Sequence, residues 1–163
     1  MAEIMMTRVD ARLVHGQVAG RWIKTLDVSR VIIIGDEIAN DPFMVDLFEL
    51  LSPPGTKIVC YTIEQAVEAW NSDKFGSGRV MILFKELQTA DRAWRSGVKF
   101  ESLNIGQVPG GPGRKLAYAT VSLSQEELAL LVSLNNDGVN VYFQAIPDDK
   151  QQPLAPVAAK MKF

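Results

Sequence analysis

The chain has 163 residues, of which 47% are hydrophobic and 22% charged, and its formal net charge is −2. That length and balance fit one folded domain around a continuous apolar core and exclude a disordered chain. The small negative charge excludes the basic footprint that binding to nucleic-acid phosphates requires, so any anion site must be local.

In chain order, short apolar runs alternate with amphipathic ones. "EIMMTRV" precedes "GQVAGRWIKTL", "RVIIIG" precedes "DPFMVDLFELL", "KIVCYT" precedes "IEQAVEAW", and "RVMILF" precedes "ELQTADRAWRSG". Then follow "ESLNIG", "KLAYATVSL", "SQEELALLVSLNNDG" and "VNVYFQAI". Val- and Ile-rich runs that alternate with helical periods predict βαβ units. The expected fold is α/β, an open, mostly parallel central sheet of about seven strands with helices on both faces.

Local punctuation supports these boundaries. Asp41-Pro42 sets an N-cap before a proline suited to a first helical turn. Ser124 and Glu127 form a capping box, and Asn136-Asp137-Gly138 supplies a helix stop. Residues 1–163 read as a single domain without repeat or linker. The stretch "VPGGPGRK" (108–115) reads as a mobile loop that touches partner proteins, and the tail from about residue 148 as the least ordered segment.

The longest apolar runs, "VIIIG" and "LALLV", are too short to cross a bilayer, and "MAEIMM" lacks a charged start followed by a long apolar stretch. A cytoplasmic chain with no span of its own is expected. The sole cysteine, Cys60, excludes an internal disulfide and reads as a small buried hydrophobe in "KIVCYT". Neither a metal site nor an organic cofactor is indicated.

The only histidine, His15, lies in "RVDARLVHGQV" (8–18). The first strand should end near Val9, and the helix should be under way by Val18 to Trp22. His15 thus falls in the turn between them, where open α/β sheets bind ligands. Unpaired N–H groups and the helix dipole favour an anion there. Arg8 and Arg12 add guanidinium forks suited to phosphate oxygens. Asp10 is expected to bond one imidazole nitrogen and leave the other free to attack. Such a histidine could accept a phosphoryl group and hand it on. The residues alone equally allow a structural histidine, with the arginines exposed or paired to Asp10.

Other loops at the same edge bring Asp36, Lys85 and the glycines of 106–113. Asp36 reads either as an orienting group for His15 or Arg12 or as a helix cap, and Lys85 either as phosphate support or as a surface lysine. "GGPGRK" fails the P-loop pattern, because Arg114 precedes Lys115. Rival readings are a non-catalytic nucleotide-binding domain, a phosphoaspartate receiver using Asp10 or Asp36 with Lys85, and a purely structural interaction module. The first needs three glycines where this turn has one.

"RVDARLVHGQV" resembles the signature "RIDDRLIHGQV" of the IIB components of the mannose/fructose/sorbose family of the bacterial phosphotransferase system. "GDEIANDP" (35–42), "PPGTKIVCYTIEQAV" (53–67), "VMILFKELQTADR" (80–92), "SLNIG", "ATVSLSQEEL" and "DGVNVYFQAIPDD" are similar to further family segments in the same order. The resemblance implies a cytoplasmic phosphocarrier, an enzyme that takes phosphate from a phosphohistidine of a IIA protein. It would pass the phosphate to a sugar bound by the membrane components IIC and IID, with which it would associate peripherally. His15 would be the phosphorylated nucleophile and Arg12 the active-site arginine. Asp10 would hold the motif's acidic position, with Arg8, Gly16, Gln17, Asp36 and Lys85 supporting the phosphate. The chain departs from the family pattern at Ala11, usually acidic, at Gly35, often asparagine, and in "NIGQVPGGPGRK".

For docking of IIA, the apolar and basic groups around the loop are Val14, Arg21, Trp22 and Lys24, against an acidic, apolar-rimmed partner. Trp22 shares a helical face with Val18 and reads as core. Self-association stays open, since no long apolar seam stands out. The sugar is not legible in the chain.

Overall fold

The computed structural model describes residues 1–16 and 18–163. The β-branched runs become strands β1 (Glu3–Asp10), β2 (Arg30–Ile34), β3 (Lys57–Tyr61), β4 (Arg79–Phe84) and β5 (Ser102–Gln107). After these come β6 (Arg114–Tyr118), β7 (Val121–Ser124), β8 (Asn140–Phe143) and β9 (Gln152–Pro153). Seven of them form one sheet in the order β3-β2-β4-β1-β5-β8-β9. Every pair in it is parallel except β8 with β9. The expected α/β class and strand number hold.

Alternation along the strands sorts the core into two layers. On one side, Val31, Ile33, Met81 and Leu83 pack against Trp22, Ile23, Ile38 and Phe48. These come from a π-helical turn (Val18–Trp22), α1 (Ile23–Thr25), α2 (Asp36–Ala39) and α3 (Pro42–Leu50). On the other side, Ile32, Ile34, Ile82 and Phe84 meet α4 (Ile63–Asp73), α5 (Leu87–Ser96), α6 (Gln125–Asn136) and α7 (Leu154–Lys160). Each Ile or Leu so covered contributes about 1.5–3 kcal/mol relative to exposure.

The expected caps form. Asp41 accepts from the amides of Phe43 (3.1 Å) and Met44 (3.5 Å) with Pro42 behind it, and Ser124 and Glu127 close a capping box. Thr62 and Gln65 make a second box on α4.

Two sequence expectations change. The tail after 148 is docked: β9 pairs with β8, and Leu154 and Val157 of α7 are buried in the core. Apolar residues at i and i+3 in "LAPV" suffice to seat that short helix, which a polar composition had hidden. The 108–115 segment, expected to be mobile, leads into the β6–β7 hairpin and is tied down by Arg114. Its guanidinium donates to both Glu127 oxygens at 2.9 Å and to the Pro109 carbonyl at 3.0 Å.

The connection from β1 runs toward β2, while that from β5 runs to the opposite side of the sheet, toward β8. Their carboxyl ends therefore flank a topological switch point, the usual ligand crevice of such sheets.

Candidate active site

β1 is covered on both faces, so a charged residue within it must find partners inside the protein. Arg8 is completely buried and does so. Nη1 donates to Asn104 Oδ1 at 2.6 Å and to the Gln144 carbonyl at 2.9 Å. Nη2 donates to Asp10 Oδ2 at 3.1 Å and to the Ala145 carbonyl at 2.9 Å. The guanidinium lies 5.4 Å from the centre of the Trp22 ring, whose Nε1 donates to the same Ala145 carbonyl at 2.9 Å. Burial pulls the Arg8 pKa below the ordinary arginine range, and the charge of Asp10 opposes that pull.

This corrects the expectation that Arg8 offers a fork to phosphate. Its two terminal nitrogens are spent on β5, on the segment after β8 and on Asp10, and its Nε is buried without a partner among the described residues, so it supports the site from below. Glycine at 106 makes room for it, because a Cβ there would collide with the Arg8 guanidinium. Gly106→Ala is expected to cost about 1–3 kcal/mol, as overpacking of a close-fitted interior does. Urea unfolding would check it, and a cost below about 0.5 kcal/mol would mean that Arg8 moves aside freely.

Asp10, also fully buried, sits one strand period beyond Arg8 and shares its face. It accepts from the Arg12 backbone amide at 3.0 Å and from Arg12 Nε at 3.3 Å. The sequence expectation placed Asp10 on the imidazole, and the structure places it on the two arginines instead. The reason is charge: two guanidinium groups within reach of one buried carboxylate outcompete an imidazole N–H. The Arg12 side chain is 44% exposed. It is thus the loop arginine that keeps a face toward solvent.

The imidazole takes its bond from the chain itself. His15 Nδ1 lies 2.9 Å from the Leu13 carbonyl, so in this conformation Nδ1 carries the proton and donates. Leu13 points that carbonyl by adopting a left-handed φ of +55° while its side chain stays buried. A branched residue holds such a φ only where its surroundings impose it. Nε2 is covered and has no partner among the described residues. Presenting either nitrogen to an incoming group therefore requires the ring to turn, which releases Leu13 or uncovers Nε2.

Gly16 is exposed on the same loop with open space around its α-carbon. Gln17, assigned to phosphate support from the sequence, lies outside the described residues. Asp36 is not brought to His15. It accepts from the Ile63 amide at 2.8 Å and pairs with Arg92 at 3.7 Å, which corrects the orienting role and leaves it as a helix-start acceptor. Lys85 and Asp36 line one cavity of about 400 Å³ beside Arg92, apart from residues 8–16. Lys85 also lines a notch of about 170 Å³ with Ala11 and Arg114. Of Asp36 and Lys85, Lys85 is therefore the one that borders the His15 loop.

Among the expected docking residues, Val14 and Trp22 are buried, Arg21 pairs with Asp148 at 2.6 Å, and Lys24 is exposed. Burial first, then the charge of Glu49, pushes the Cys60 thiol up to about 11, as suits an unreactive half-buried residue. No group of His, Cys, Asp and Glu suited to a metal ion occurs among the described residues, and no helix there is long and apolar enough to cross a membrane.

Comparison with known proteins gives the arrangement a family. The model of the phosphotransferase system (PTS) sorbose subfamily IIB component matches residues 4–163. This chain belongs to that family of IIB components. The sorbose-specific EIIB component of Klebsiella pneumoniae is 31% identical over 147 residues, 90% of each chain. The mannose-specific EIIAB component of Escherichia coli K12 is 30% identical over 158 residues, 97% of this chain and 49% of that protein. The chain thus spans about half the length of the mannose-specific relatives it matches. The IIBSor domain of the Klebsiella pneumoniae sorbose permease superposes with a TM-score of 0.89 at 28% identity, covering 99% of both chains. The manxB protein of Thermoanaerobacter tengcongensis gives 0.89 at 37% identity, covering 98% of this chain and 97% of that one. The nucleotide-binding and receiver readings find no support in these likenesses to IIB proteins.

Asn104 and Gln144 escaped the sequence reading, which named Gly106 only among the loop glycines and Trp22 only as a docking or core residue, neither as a partner of Arg8. The signal was available in part: a charged pair at i and i+2 in a central strand demands buried partners, and Asn104 interrupts the apolar strand "SLNIG" at the position opposite Arg8.

Proposed function

We propose that this IIB component is a cytoplasmic phosphocarrier whose His15 takes a phosphoryl group from a phosphohistidine of a IIA protein. His15 then passes it to a sugar held by membrane components IIC and IID. The observation that carries this reading is the placement of the chain's only imidazole on the β1 loop at the switch point, with the half-exposed guanidinium of Arg12 on the same loop.

In the first step a ring nitrogen of His15 uses its lone pair to form an N–P bond as the donor's N–P bond breaks. The donor imidazole leaves with that electron pair. In the second, a sugar hydroxyl oxygen attacks phosphorus, the His15 N–P bond breaks, and the hydroxyl proton is released. The protein's task is to position the groups and to offset charge on the equatorial oxygens. Arg12 is placed to do the latter, while Asp10, closed off behind it, aims its guanidinium. Lys85 and the Gly16 backbone are supporting candidates for the same oxygens.

The test is the intact mass of the chain after incubation with phosphoenolpyruvate, the general phosphotransferase proteins and a charged IIA. One phosphoryl group that is lost in acid and kept in base supports the reading. A base-labile group would put the phosphate on a carboxylate, and no group at all would remove the reading. Arg12→Gln is expected to lower the transfer rate about 10²-fold, the usual cost of removing one donor to developing charge. Quench-flow of phosphate arrival would check it, and a rate within threefold of wild type would take Arg12 out of the mechanism.

A further inference from the structure

Between Val31 and Thr56 the chain carries five carboxylates, Asp36, Glu37, Asp41, Asp46 and Glu49, and no lysine or arginine. All five are exposed. Along α3, Phe43, Leu47, Leu50 and Leu51 also face solvent, at 72%, 37%, 84% and 48% exposure. Their spacing, i, i+4, i+7 and i+8, draws a continuous apolar stripe down the outer side of a helix whose inner side is held by Phe48 and Met44. Exposed single leucines are ordinary, but four large apolar side chains in register on one helix mark a contact surface.

The stripe is placed for use with the site. Leu13 and Val14 of the His15 loop pack in the same core layer as Ile38 of α2 and Phe48 of α3. α2 and α3 follow the carboxyl end of β2, so Phe43 stands toward the His15 edge of the sheet. A body seated over His15 on this face would reach α3.

We propose that the α2–α3 face docks the cytoplasmic surface of the membrane component to which the phosphoryl group is delivered. This rests on the phosphocarrier reading above. The choice of occupant follows from charge. Asp36 is paired with Arg92, but the rim formed by Glu37, Asp41, Asp46 and Glu49 has no ion-pair partner among the described residues, so it repels anionic lipid headgroups and a second copy laid α3 against α3. It attracts an apolar surface bordered by lysine and arginine, which is what membrane proteins present on their cytoplasmic side. The two partners would then engage different borders of the loop. The side with exposed Lys24, where Arg21 is already paired with Asp148, suits the donor, and the acidic side suits the acceptor.

The experiment compares wild type with L47D/L50D and with D46K/E49K, all at exposed positions whose change leaves the core intact. Two readouts are taken. One is phosphorylation of the chain by charged IIA. The other is phosphoryl transfer to sugar, and co-sedimentation, with inside-out vesicles containing the IIC and IID components expressed with this chain, against vesicles lacking them. The expected result is an unchanged rate of phosphorylation, a rise of at least tenfold in the KM for the phosphorylated chain at the vesicles, an unchanged kcat, and loss of co-sedimentation. Raised salt should weaken wild type toward the D46K/E49K value.

Normal phosphorylation with wild-type transfer at the vesicles would overturn this inference and leave the phosphocarrier reading standing. Slowed phosphorylation would assign the face to the donor instead. Loss of a concentration-dependent dimer in sedimentation velocity would assign it to a second copy. Either result would overturn the proposal, and failure of the wild-type chain to be phosphorylated would remove both readings together.

Discussion

His15→Gln is expected to abolish phosphorylation while leaving the fold almost untouched. The chain has one histidine, so no second imidazole can take over, and an amide nitrogen has no available lone pair with which to form an N–P bond. The structural cost is small, because the ring is only half buried and its one bond among the described residues runs to the Leu13 carbonyl. A glutamine amide can offer that carbonyl a donor, and even complete loss of the bond costs about 1 kcal/mol. For a domain of this length that corresponds to a fall of about 2–4 °C in Tm. Intact mass and a thermal melt measured on one sample separate the two effects. Phosphorylation that persists in the variant would move the chemistry to an exposed carboxylate such as Asp36. A Tm lowered by more than about 10 °C would mean that the ring holds the loop together and that lost activity follows from lost structure.

The sheet was legible because its signals are local and repeated. "VIIIG" and "RVMILF" can hardly be anything but strands covered on both faces, and Asp41-Pro42 and Ser124 with Glu127 start helices by bonds made within four residues. The position of His15 was legible for the same reason, since the end of a strand and the start of a helix bracket it. What escaped depends on contacts across the fold. Asp10 was assigned to the nearest ring, but its second arginine partner is buried by atoms from residues 104, 144 and 145, which no spacing rule places. Asp36 was drawn toward His15 by its strand end alone, and the start of α4, 27 residues on, claims it. The α3 stripe was read as an ordinary amphipathic helix, because the sequence cannot say which of two apolar faces the core uses.

Arg8→Met is expected to be the most destabilising single change at the site. Methionine fills much of the volume and keeps the contact with Trp22, so the cost is mainly electrostatic. The four hydrogen bonds of its guanidinium disappear, leaving the Asn104 side-chain oxygen without a donor among the described residues, the Gln144 carbonyl with the Asn104 amide and the Ala145 carbonyl with the Trp22 indole. Asp10 stays fully buried with only Arg12 to face its charge, and Arg12 is half in water. Breaking one partner from a buried pair costs about 3–5 kcal/mol, a large part of the 5–15 kcal/mol that usually holds a domain. Urea unfolding should show that loss with the slope unchanged. The double variant Arg8→Met with Asp10→Asn should be less destabilised than the sum of the two single changes, since the second removes the charge that the first leaves stranded. A simple sum would mean that Arg8 and Asp10 act independently. The supposed chain of support, in which β5 and the segment after β8 hold Arg8, Arg8 holds Asp10, and Asp10 aims Arg12, would then be broken at its middle link.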